Sequence, residues 1–131
     1  MASYKRFEDL PVWQKARTFA KEADTLIRNS AIKTNFKLKD QMSGSSGSVM
    51  DNISEGFERG GNKEFIAFLS YSKGSAGEFR SQLYRCLDCG YITQDEFDKL
   101  KMDAERISGE LEGFINYLSN SGQKGHKFTN R

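Results

Sequence analysis

A chain of 131 residues, 37% of them hydrophobic, is long enough for one domain with a real core and short for two. No run approaches the ~20 apolar residues of a membrane span, and the opening MASYKRFEDL lacks an apolar signal-peptide core, so a cytoplasmic protein is expected. The formal charge of +2 belongs to the last eleven residues, which hold Lys124, Lys127 and Arg131 and no acid; the rest carries 17 basic against 18 acidic residues. A near-neutral body removes any argument from total charge to nucleic acid, because phosphate binding needs clustered cations.

Proline occurs once, and apolar residues recur at spacings of three and four. The expected class is therefore all-α. The first helix spans about 9–29. Asp9 is its expected cap, with Pro11 in the first turn, where a missing N–H costs little. Trp13, Ala16, Ala20, Ala23 and Ile27 form a stripe widened by Val12, Phe19 and Leu26, with Phe7 and Leu10 packing back at its start.

The second helix, about 37–58, contains SGSSGS at positions 43–48. Read locally, this is a linker, and each glycine costs about 1 kcal/mol relative to alanine in a helix. Leu38, Met42, Val49, Ile53 and Phe57 nevertheless keep helical phase on both sides, with Ser45 and Ser46 filling the gap. Helix is the expectation. Gly60 and Gly61 form the next turn, and Asn62 is the expected cap of a third helix over 62–89. Its core stripe reads Phe65, Phe68, Leu69, Ser72, Ala76, Phe79, Leu83 and Leu87. Gly90 suits the left-handed position that ends it.

Thr93 with Glu96 three residues on is a capping box for the fourth helix, about 93–119. Phe97, Leu100, Ala104, Ile107, Leu111, Phe114 and Leu118 then alternate spacings of three and four, a bundle seam. Asp95 and Lys99 are placed for an exposed pair. The prediction is an antiparallel up-down-up-down four-helix bundle over 1–120 and a disordered basic tail over 121–131.

A second pattern lies off the core stripes. Ser70, Gly74, Gly77 and Ser81 fall along one side of the third helix, and Ser43, Gly44, Gly47, Ser48 and Ser54 lie on the second. Rows of small side chains let helices approach closely. The simpler expectation is that the rows face each other inside the bundle. The sharper one is that a neighbouring subunit covers them, with Tyr71 and Tyr84 as off-stripe aromatics suited to an interface.

Candidate chemistry is sparse. Cys86 and Cys89 form a C-x-x-C match at a helix end where the dipole raises rather than lowers a thiol pKa. A zinc site would need two more ligands, and the sole histidine is His126 in the tail. Asn52-Ile53-Ser54 matches a glycosylation acceptor, which has no meaning without a secretory route. There is no Walker, dinucleotide or zincin motif. Glu55 and Glu78 could be read as paired carboxylates, but capping or interface roles are expected. Arg28, Lys33, Lys37 and Lys39 cluster at the first connection, with Lys5 and Arg6 as additions; they are a solvated helix end or a phosphate-contacting patch. No catalytic, cofactor or metal residue is assigned.

Four phrases now carry a family resemblance: Phe7-Glu8-Asp9-Leu10 with Val12-Trp13-Gln14-Lys15-Ala16; Asn52-Ile53-Ser54-Glu55-Gly56-Phe57; Lys63-Glu64-Phe65 with Phe68-Leu69, Gly74-Ser75 and Glu78; and Gly90-Tyr91-Ile92. From Phe7 to Leu118 the chain resembles the four-helix-bundle proteins encoded in bacterial 23S rRNA intervening sequences. The resemblance implies an antiparallel bundle with SGSSGS helical, and a homopentameric ring. It marks Asn52, Glu55, Gly56, Gly74, Ser75 and Glu78 as structural or subunit-interface residues. Related proteins include accessory factors of diversity-generating retroelements, which bind nucleic acid and a reverse transcriptase.

The chain departs from the family pattern at two points. A basic pair common ahead of the Asn52 motif is Ser43-Gly44 here, and a common proline is Met50. Nucleic-acid contact would then fall to Arg28, Lys33, Lys37 and Lys39 or to the tail. The expected function is a non-enzymatic oligomeric scaffold with RNA or a ribonucleoprotein as partner; the alternative is a protein-binding adaptor without nucleic acid.

Overall fold

The structure is a computed structural model that describes residues 4–121. Of the predicted tail over 121–131, all but Ser121, His126 included, lies outside the described residues. Four helices follow one another: α1 (Pro11–Arg28), α2 (Phe36–Arg59), α3 (Asn62–Asp88) and α4 (Gln94–Asn120). Short 3-10 turns at Phe7–Asp9 and Ala31–Thr34 precede α1 and α2.

Cross-helix pairs give the directions. Lys15 meets Glu110 at 2.8 Å while Glu22 meets Lys99 at 3.2 Å, so α1 and α4 run antiparallel. Arg85 meets Gln41 and Gln82 meets Ser45, so α2 and α3 do too. Lys73 with Glu112, and the Tyr84 ring on Phe97, set α4 against α3 in the same way. The chain is an all-α four-helix bundle, and among the described residues there is no strand.

The core follows the periodic stripes. Ala16, Phe19, Ala23 and Ile27 of α1 face Leu38, Met42, Val49 and Ile53 of α2, Leu69, Ala76, Phe79 and Leu83 of α3, and Leu100, Ala104, Ile107 and Leu111 of α4. Edge-on aromatic pairs lock the layers: Phe19 on Phe79 at 5.0 Å, Phe65 on Phe114 at 5.3 Å and Phe7 on Trp13 at 5.1 Å. Each is worth about 0.5–1.5 kcal/mol beyond its buried area. SGSSGS is fully helical because its neighbours stay in phase, and only Ser45 and Ser46 of it point inward.

The helix ends correct several local expectations. Asp9 does not cap α1; it lies in the 3-10 turn, and Leu10, 1% exposed, takes the cap position because its side chain is needed in the core. Pro11 is the first helical residue. Asn62 is not a cap either. Gly60, at φ 99°, turns the chain, Gly61 caps α3 in extended conformation, and Asn62 is buried in the first turn.

Asn35, which had no assigned role, caps α2 by accepting from the Leu38 N–H. The Thr93–Glu96 capping box forms in both directions, and Gly90 has φ 73°. Lys99 pairs with Glu22 and Asp103 rather than Asp95. Ala20, Phe68, Leu87 and Phe114 are half-buried, whereas Gln82 and Cys86 are fully buried in α3.

Candidate functional site: the seam of helices two and three

Two rows of side chains meet along the α2–α3 hairpin. On α2 the row is Gln41, Ser45, Ser48, Asn52, Glu55 and Arg59; on α3 it is Phe68, Tyr71, Ser75, Glu78, Gln82 and Arg85. Both alternate spacings of three and four, so each row keeps to one side of its helix. The rows are tied at both ends. Arg85 donates to Gln41 Oε1 at 3.3 Å, and Ser45 Oγ donates to Gln82 Oε1 at 2.7 Å. At the other end the Arg59 guanidinium lies 5.0 Å from the Phe68 ring centroid. Between these ties, antiparallel register places Ser48 level with Glu78, Asn52 with Ser75, and Glu55 with Tyr71.

Four residues singled out in the sequence, Asn52, Glu55, Ser75 and Glu78, therefore share one seam. Each has a structural tether or a half-buried position. Asn52 Nδ2 donates to the Ser48 carbonyl at 2.9 Å. Glu55 holds Arg59 at 3.0 Å, and Arg59 also reaches Glu64 at 3.8 Å. Glu78 accepts from Gln82 Nε2 at 3.4 Å, and Gln82 carries the link on to buried Ser45. Ser75 is half-buried.

Glu55 and Glu78 are not a catalytic pair. Their levels differ by seven helical positions, about 10 Å at the standard rise. Gln82 and Arg59, which help tie the seam, have no role assigned from the sequence, and Ser45 is placed there only as a filler of the second helix's core stripe, although all three continue the same three-four spacing.

Gly56 lies beneath the seam and lets the helices touch. A Cβ there would sit 2.5 Å from Phe68 Cβ and 3.0 Å from Phe65 Cδ1. The outer glycines differ. A Cβ on Gly44, Gly47, Gly74 or Gly77 would meet nothing within 4 Å. Ser43, Gly44, Ser70, Gly74 and Ser81 are exposed. The glycines of the small rows thus do not meet inside the bundle, although Ser48 lies in the seam and Gly47, Ser54 and Gly77 are half-buried; the buried small residues are Ser45, Ser46, Ser72 and Gly56. Tyr71, 58% exposed, and Tyr84, 48% exposed, flank this outer face.

The basic residues divide. Arg28 is neutralised by Asp24 at 2.8 Å. Lys33 and Lys37 are exposed and Lys39 is half-buried, with its ammonium 5.5 Å from the Phe36 ring centroid. Lys5 and Arg6 do not join them, because they precede the far end of an 18-residue helix, about 27 Å away along its axis.

The cysteines do not act as a pair. Cys86 is buried, with Sγ 3.4 Å from Met42 Sδ, while Cys89 is exposed at the helix end. Burial, reinforced by Cys89, pushes the Cys86 thiol up to about 11. Iodoacetamide at pH 8 is therefore expected to add one group to the native protein, at Cys89, and a second only after unfolding; two native adducts by intact mass would contradict this. Among the described residues, no group of three His, Cys, Asp or Glu side chains is placed to hold a metal ion. A groove of about 480 Å³ between α1 and α4 is lined by the Lys15–Glu110 and Lys99–Glu22 ion pairs. No helix among the described residues is long and apolar enough to cross a membrane.

Comparison with known proteins agrees with the fold. A crystal structure of a protein of unknown function from the S23 ribosomal protein family of Bacteroides thetaiotaomicron is similar, with a TM-score of 0.73 and 23% identity over 79% of this chain and 97% of that one. A search of curated proteins gave no significant match. The sequence model of the 23S rRNA-intervening sequence protein family matches residues 8–113, most of the bundle. The chain therefore belongs to the 23S rRNA-intervening sequence protein family.

Proposed function

We propose that this chain is a cytoplasmic, non-enzymatic scaffold that self-associates through the outer faces of α2 and α3. The observation that carries this reading is the outward glycine face. Gly44, Gly47, Gly74 and Gly77 have no intrachain neighbour that excludes a side chain, yet each costs about 1 kcal/mol of helix propensity. Close approach of a second copy gives these glycines a role.

Charge supports a head-to-tail contact. Asp40, Asp51 and Glu58 are exposed on α2, and Lys63 is exposed and Arg80 half-buried on α3. Among the described residues, none of the five has an ion-pair partner within 4.0 Å. A head-to-tail contact closes into a ring when its rotation allows. Five subunits is the number that the family resemblance implies.

Zero-length carboxyl-to-amine cross-linking of mixed heavy- and light-isotope chains tests the contact. Mixed-isotope links from Asp40 or Asp51 to Lys63 are expected. Same-isotope links alone would sink it.

The scaffold's proposed partner is RNA, engaged at the α1–α2 connection. The favouring observation is that Lys33, Lys37 and Lys39 have no acidic partner within 4.0 Å among the described residues, in contrast to Arg28. Assembly without RNA affinity would leave a protein-binding adaptor.

A further inference from the structure

Phe36 is the most exposed large apolar side chain among the described residues, at 72%. It begins α2 directly after the Ala31–Thr34 turn, so the backbone around it is held by the Asn35 cap. Lys33 and Lys37 flank it in sequence, and Lys39 places its ammonium 5.5 Å from the ring centroid. Asp40, one turn further on, is the nearest acid along α2. An exposed apolar ring alone needs no explanation. A ring with one lysine ammonium over it and two more lysines close by in sequence, none of the three with an acidic partner within 4.0 Å among the described residues, has the chemistry of a single-strand nucleic-acid platform, with a π-face for a base and cations for the flanking phosphates.

We propose that Phe36 stacks an unpaired nucleobase of single-stranded RNA while Lys33, Lys37 and Lys39 contact the adjoining phosphates. This rests on the reading of the α1–α2 connection as an RNA contact. It adds a strand preference, because bases inside a duplex are already stacked and offer no face to the ring.

The test is fluorescence anisotropy with a labelled oligouridylate and a labelled RNA duplex of equal length, across a salt series. The intact protein is expected to bind the single strand at 50 mM salt and to weaken as salt rises. Phe36→Ala is expected to weaken single-strand binding about tenfold, with Phe36→Trp retaining it. Duplex binding should be indifferent to either change. Because the ring is exposed, both variants should melt with the parent. No binding by the intact protein at 50 mM salt would overturn the RNA reading and this inference with it. Binding that Phe36→Ala leaves unchanged would overturn the stacking role alone. A Phe36→Ala variant that loses oligomer mass while retaining RNA affinity would make the ring a subunit contact and overturn the proposal.

Discussion

Gly56→Ala is expected to destabilise the fold by about 2 kcal/mol. The new Cβ would lie 2.5 Å from Phe68 Cβ and 3.3 Å from Phe68 Cγ. Phe68 Cβ is fixed to the α3 backbone, so rotamer change cannot relieve the clash. The helices must separate, and the edge-on pair of Phe57 and Phe65 at 5.9 Å separates with them. Alanine's better helix propensity, about 1 kcal/mol, offsets only part of this. Gly109→Ala on α4 is the control, since its Cβ meets nothing within 4 Å. Urea melts should show the first variant losing stability and the second gaining up to about 1 kcal/mol. Equal midpoints for the two would remove the close-contact account of Gly56.

Gly74→Leu is expected to dissolve the assembly and leave the subunit folded. The position is exposed, and a Cβ there meets nothing within 4 Å in its own chain. The isolated bundle therefore gains helix propensity and loses no packing. Across a close helix–helix contact, the same side chain would cost about 3 kcal/mol, roughly a hundredfold in the association constant for each contact. Sedimentation velocity should find single chains with the parent's helical circular dichroism. Gly109→Leu should leave the assembly intact. An unchanged mass for Gly74→Leu would move the interface off α3.

The bundle was legible because its apolar spacing is nearly uninterrupted. In α4, six of the seven seam positions are buried, from Phe97 to Leu118. The SGSSGS run was legible for the same reason, since Met42 and Val49 on either side of it are both fully buried. Periodicity assigns a residue to a face, however, and does not say what lies opposite. Gly44 and Gly74 could be placed on rows, but only the packed helices show these two glycines facing outward.

The seam was hidden for a related reason. Asn52 and Glu55 meet the level of Ser75 and Tyr71 only once the Gly60–Gly61 turn has set the register of α3 against α2. Caps were misread where two demands competed at one residue. Asn62 has the chemistry of a cap, but burial claimed it and Gly61 took the cap position. Lys99 had acids available four residues away on either side, and Glu22 on α1 favours the side toward Asp103.

On the proposed reading, the outward glycine face of α2 and α3 is covered by another copy of the chain. Multi-angle light scattering at micromolar concentration tests it most directly. The intact protein is expected to give a concentration-independent mass five times the 14.9 kDa of one chain, falling to one chain for Gly74→Leu. A mass of one chain for the intact protein would contradict it.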